Sequence, residues 1–278
     1  MSEVKISAAD VKKLRDQTGA GMMDCKKALS EAEGDFEKAI DILRTKGQKL
    51  SLKRAEREAK EGVVIALVSD DQKQGVVLKL SCETDFVAKN EDFINLAKEI
   101  AGTALENFPA DEEGLLALQI DGVAIGDKVI EQIGVIGEKL EVAGYARLEA
   151  PQVASYIHMG YKAGVLVGLS EAGSELDEAG RDVAMQVAAM KPVAVDKSGV
   201  SQDQINREIE IGKEQARAEG KPDDLVEKIA MGKLNKFFKE NTLLAQAFVK
   251  DGKMSVEQYL KSKHPDLTVT DFKHVKLG

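Results

Sequence analysis

The chain has 278 residues, with 39 Lys and Arg against 48 Asp and Glu, for a formal net charge of −9. Its 43% hydrophobic and 31% charged residues exclude a disordered polymer, and its length implies one large domain or two to three smaller ones. Two cysteines, Cys25 and Cys82, make neither a disulfide framework nor a metal-binding pair, and no apolar run approaches the ~18 residues of a membrane span.

Aromatic residues are only 4% and Trp is absent, so Val, Ile, Leu, Ala and Met must fill the cores. Met1–Asp10 has no apolar signal segment, which makes the expected location cytoplasmic. Residues 1–60 carry 14 basic and 11 acidic side chains, and the remainder is strongly acidic. The densest basic stretch, Lys53 to Lys60, alternates with acids and has no aromatic to stack on a base. Direct nucleic-acid binding is not expected.

The first fifty residues read as three short helices. Ser7 and Asp10 form a capping-box pattern, Val11 and Leu14 follow at apolar spacing, and Gly19 stops the first helix. The second is expected over Met22–Glu33 with Gly34 behind it. The third starts at Asp35, presents Phe36, Ala39, Ile40 and Leu43 on one face, and is expected to end at Gly47. Val63–Val68 and Val76–Leu80 then read as a hairpin across the polar turn Ser69–Gly75. A helix with Phe93, Leu96, Ala97, Ile100 and Ala101 on one face comes next, then a helix near Asp127–Ile136 and a strand over Leu140–Leu148.

Val153–Met159 and Gly164–Leu169 repeat the hairpin, and a helix with Val183, Ala184, Val187 and Ala188 repeats the Phe93–Ala101 helix behind it. The chain therefore reads as α+β, with two similar hairpin-plus-helix subdomains behind the helical module. From Ser201 to Glu240 strand signals vanish. Ile205, Ile209, Gly212 and Ala216, then Leu225, Ile229 and Leu234 across the Gly220-Lys221-Pro222 turn, predict an antiparallel helical hairpin that projects as an arm. Phe237, Phe238, Leu243, Leu244 and Phe248 return the chain to its body. A short helix near Val256–Leu260 and a strand near Leu267–Val275 close it. The segments are 1–55, 56–141, 142–200 with 236–278, and the arm 201–235.

Reactive chemistry is scarce. Thr18-Gly19-Ala20-Gly21 precedes no phosphate-binding GK[ST] and reads as a helix–helix turn. His158, His264 and His274 include no pair at metal-ligand spacing. Cys25 and Cys82 sit in helix and strand patterns that imply buried, inert thiols. More unusual are Met22-Met23 after a glycine turn, and Thr84-Asp85-Phe86, where a strand empties into a helix. Read by itself, Thr84 is an N-cap, Asp85 complements the helix dipole and Phe86 is core.

Leu14 to Leu29, reading LRDQTGAGMMDCKKAL, and Thr84-Asp85-Phe86-Val87-Ala88-Lys89 resemble the two signatures of the bacterial translation elongation factor Ts family, in that family's order. Gly164–Val167 and Asn241–Leu244 extend the resemblance over nearly the whole chain. It implies a ubiquitin-associated-like N-terminal module and guanine-nucleotide exchange on elongation factor Tu, bound with GDP or nucleotide-free. It assigns Arg15, Met22 and Met23 to contact with the GTPase, Asp85 and Phe86 to an intrusion that disturbs the Mg²⁺ environment of the nucleotide, and His158 to an assisting contact. It implies exchange without covalent chemistry, and it makes a dimerising role for the arm possible, which the arm's charges and glycines make a weak one. Longer family members add a C-terminal helical tail that touches the GTPase, a contact expected to be missing after Gly278. No cofactor or metal of the chain's own is expected. The other readings are a passive scaffold or chaperone without exchange activity, and a cysteine or histidine enzyme.

Overall fold

The computed structural model describes residues 6–278. Met1–Lys5, and with them half of the Met1–Asp10 signal-segment reading, lie outside the described residues. The fold is mixed helix and sheet, and its contacts group into two units. The first holds the described residues up to Ile65, Leu78–Tyr145 and Lys276–Gly278; the second holds Ala66–Val77 and Ala146–Val275.

In the first unit, helix α1 (Ala8–Thr18) starts from the expected Ser7/Asp10 capping box and ends on Gly19 with φ 68°. Helix α2 (Met22–Glu31) stops two residues earlier than its sequence suggests, because Glu33 and Gly34 both take left-handed backbone. Asp35 caps α3 (Phe36–Arg54) by accepting from the Lys38 N–H. Val11, Leu14, Cys25, Ala28, Leu29 and Ala39 form the small core these helices share.

Helix α3 does not end at Gly47 but runs seven residues beyond it. Gly47 marks a close crossing rather than a stop. A Cβ there would lie 2.8 Å from the Ile130 carbonyl oxygen, and one on Gly134 would lie 3.1 Å from the Gly47 Cα. Ile130 and Gly134 both belong to a later helix of the same unit, Ile125–Ile136. The apparent C-cap signal is therefore a packing signal.

Strands β1 (Glu61–Val68) and β2 (Gln74–Cys82) form the expected hairpin. A four-residue helix α4 (Asp85–Ala88) precedes α5 (Glu91–Asn107), whose Phe93, Leu96, Ala97, Ile100 and Ala101 are buried as read. Helix α6 (Glu112–Ala117), the short strands β3 (Gln119–Ile120) and β4 (Val123–Ala124), and α7 (Ile125–Ile136) lead to β5 (Glu141–Glu149). The sheet order is β1-β2-β5.

In the second unit, β6 (Gln152–His158) pairs antiparallel with β7 (Ala163–Leu169), and helix α8 (Asp177–Met190) packs over both. Val165, Val167 and Leu169 meet Val183, Ala184 and Val187 in its core. Helices α9 (Gln202–Ala218) and α10 (Asp223–Asn241) pack on each other. Strands β8 (Ala247–Phe248) and β9 (Asp251–Ser255), helix α11 (Val256–Lys263) and strand β10 (Val269–Lys276) complete the chain, with sheet order β10-β7-β6.

The seam of the helical hairpin buries Gly212, Ala216 and Leu234 as read, but the start of its second helix is shifted by one position from the expected stripe. Val226, Ala230 and Leu234 are buried, whereas Leu225 is 42% exposed. The reason is the crossing point: a Cβ on Gly212 would lie 3.1 Å from the Ala230 Cα, so small residues and not the larger aliphatics set the contact. The ion pairs Lys213–Glu227 and Lys233–Glu219 flank the seam.

Candidate partner-binding site

Of the residues singled out in the sequence, five lie in the first unit. Arg15 is exposed on α1. Met22 and Met23 open α2, where Gly21 provides the cap and the buried positions begin only at Cys25, so the two thioethers stand 55% and 76% exposed. Flexible, polarizable side chains presented this way suit an adaptable contact.

Asp85 and Phe86 occupy the first turn of α4. Thr84 is the N-cap, as read, and accepts from the Val87 N–H at 3.4 Å. The Asp85 carboxylate accepts from Lys89 at 2.6 Å, and that hydrogen bond holds its carboxyl below the usual range. Phe86 is not core: it is 83% exposed, and no residue of α4 is buried. Asn90 is the cause. Its side chain caps a new helix by accepting from the Asp92 N–H at 2.8 Å, which ends α4 after one turn, and Phe93 fills the core instead.

The sequence reading missed what holds this turn. Glu138 accepts from the Glu83 N–H at 3.1 Å, the Thr84 N–H at 3.0 Å and the Thr84 hydroxyl at 2.7 Å. Glu83 in turn accepts from Arg54 at 2.5 Å, Arg57 at 2.9 Å and the Lys139 N–H at 2.6 Å. Desolvation raises the Glu83 pKa, but the Lys139, Arg54 and Arg57 hydrogen bonds outweigh it and bring the value down to about 2. These partners are separated by up to 56 residues, so no local pattern announces them.

His158, the sixth residue, lies in the second unit at the end of β6. It is half-buried, with Nδ1 3.1 Å from the Tyr156 hydroxyl on the same strand face. The turn after it is Met159-Gly160-Tyr161, all at positive φ, with Met159 72% exposed. The sequence reading ended the strand on Met159 and gave it no role, whereas the strand stops at His158; a large apolar residue beside a glycine was the only signal.

The cysteines have the opposite of nucleophilic character. Both are buried. Burial, reinforced by the Glu138 charge, pushes the Cys82 thiol up to about 12, and burial also raises Cys25. Among the described residues no cluster of three or more metal-ligating side chains occurs, and no helix is long and apolar enough to cross a membrane.

Residues 83–278 match the family model described as Elongation factor TS, a stretch that begins two positions before Asp85. Over 274 residues the chain is 54% identical to the elongation factor Ts of Christiangramia forsetii, covering 99% of each chain. The chain belongs to the elongation factor Ts family. The elongation factor Ts of Flavobacterium psychrophilum is 54% identical over 98% of this chain and 99% of its own, and that of Chlorobaculum tepidum is 45% identical over 99% of each. Family membership makes this a translation elongation factor. Arg15, Met22 and Met23 precede the stretch matched by the elongation factor Ts family model, but the full-length relatives extend across them.

Proposed function

We propose that this chain is the guanine-nucleotide exchange factor of elongation factor Tu, speeding GDP release in the cytoplasm without covalent chemistry. The observation that carries the reading is Phe86: a large apolar side chain, 83% exposed, on a one-turn helix anchored at both ends. Solvent exposure of such a residue has no benefit to the fold, whereas insertion into a partner would bury it. Asp85 beside it brings a negative charge.

The physical consequence is direct. Mg²⁺ bridges nucleotide phosphates and protein ligands in GTPases, so a side chain that disturbs its surroundings removes much of the GDP binding energy. Linkage then requires GDP to weaken the factor's own binding by the same ratio. In this reading Arg15, Met22 and Met23 supply affinity from a ubiquitin-associated-like module over 1–55, Asp85 and Phe86 act from a core subdomain over 56–141, and His158 assists from 142–200 with 236–278. The similarity of the two core subdomains is supported by their sheets, each of which centres on the second arm of its hairpin. The arm over 201–235 contributes at most a weak self-contact. The test is release of labelled GDP from elongation factor Tu with and without the chain; binding without faster release would favour a passive scaffold.

A further inference from the structure

The turn that carries Phe86 is held by a reciprocal clasp. At the end of β2, the backbone N–H groups of Glu83 and Thr84 donate to the Glu138 carboxylate, and Thr84 adds its hydroxyl. Just beyond α7, the backbone N–H of Lys139 donates back to the Glu83 carboxylate. Gly137, at φ 81°, ends α7 with its N–H on the Ile133 carbonyl, which sets where Glu138 begins. The Thr84 carbonyl is also taken. Cys82 Sγ donates to the Thr84 carbonyl at 3.2 Å, and the Ala88 N–H donates to the same oxygen at 3.2 Å. Arg54 and Arg57 pair with the Glu83 carboxylate.

A four-residue helix with no fully buried side chain, its Val87 and Ala88 only half-buried, has little packing of its own to fix it. Its geometry therefore depends chiefly on these hydrogen bonds. We propose that Glu138 is the positioning residue of the exchange site, holding the Thr84–Phe86 turn in one geometry in the free protein so that Phe86 meets its partner already ordered. This rests on the exchange reading. A pre-ordered turn avoids the entropy cost of fixing those residues at the moment of contact, which a loose turn would subtract from the rate. Thr84 is the link, because its hydroxyl donates to Glu138 while accepting from the Val87 N–H.

The test compares E138A, E138Q, E138D and T84V with the wild type as full-length protein. It reads release of a fluorescent GDP from elongation factor Tu across chain concentration, and hydrogen exchange of the 84–88 amides in the free chain. Gln keeps the length of Glu: its carbonyl oxygen can take the two N–H groups while its NH₂ donates to the Thr84 hydroxyl. Asp keeps the charge but falls one methylene short. Positioning predicts E138Q near wild type, with E138A, E138D and T84V losing amide protection and about tenfold or more in maximal release rate. The half-saturating concentration should change little. Wild-type maximal release by E138A overturns the role, and if E138A does not fold, wild-type release by T84V does so. An active E138D with an inactive E138Q, or a loss confined to the half-saturating concentration, also overturns it. A wild-type chain that leaves GDP release unchanged sinks the exchange reading and this role together, whereas an active wild type with an equally active E138A sinks this role alone.

Discussion

Phe86 and Phe93 are seven residues apart, which on one continuous helix would place them on the same face, two turns apart. The Asn90 cap breaks that continuity, and Phe86 stays out of the core. Because Phe86 is 83% exposed, F86A should leave stability within about 0.5 kcal/mol of wild type by denaturant unfolding, where truncating a buried Phe costs about 3–5. A loss of the larger size would return Phe86 to the core. Glu83 behaves differently. Its folded pKa of about 2 lies below its ordinary 4.5, so its contribution to stability is complete above pH 4.5 and is lost as pH falls toward 2. In E83Q, unfolding followed from pH 6 to pH 2 should show a lower plateau and a shallower acid decline than the wild type. An unchanged acid decline would mean that Glu83 is not held by Arg54, Arg57 and the Lys139 N–H in solution. Exposure at Met22 and Met23 could be anticipated from a glycine turn followed by two long side chains. The Glu138–Thr84 contact could not, since it spans 54 residues and depends on where α7 ends.

Helices and strands were legible wherever their hydrophobic period was strong: α5, the two hairpins and α8 lie where the pattern puts them. The misreadings cluster at glycines. Gly47 looks like a stop and is a crossing, because sequence cannot distinguish a glycine that frees the backbone from one that clears space for a neighbour. Alanine at a helix interior glycine normally adds about 1 kcal/mol. At Gly47 the added Cβ would meet the Ile130 carbonyl oxygen at 2.8 Å, and overpacking costs typically about 1–3 kcal/mol. G47A should therefore lower the urea midpoint, and a raised midpoint would show that α3 and α7 can separate without penalty. The helical hairpin obeys the same logic, with the Gly212–Ala230 approach shifting the buried face to Val226. That seam is self-contained, so a short linker in place of residues 201–235 should leave cooperative unfolding intact at modest loop-entropy cost. Ile211, Leu225 and Met231 are 36%, 42% and 42% exposed, interspersed with charge. Light scattering should find the dilute full-length chain monomeric; a stable dimer that dissociates on arm replacement would contradict this.

At the scale of the whole molecule, a net charge of −9 and an acidic remainder after residue 60 argue for a protein partner over a nucleic acid. Neither cysteine is poised for attack, and the most exposed large apolar side chains are Phe86, Leu52, Met23, Met159 and Met22. In the proposed exchange reading such groups act by being buried in the partner, which changes its affinity for nucleotide without making or breaking a bond. Stopped-flow release of fluorescent GDP from elongation factor Tu, with unlabelled GDP in excess and the chain at substoichiometric concentration, tests this most directly. The wild type should turn over and empty the whole GTPase population, while F86A, folded and still able to associate through Met22 and Met23, should slow release by about tenfold or more. Wild-type release rates from a folded F86A chain would contradict the account.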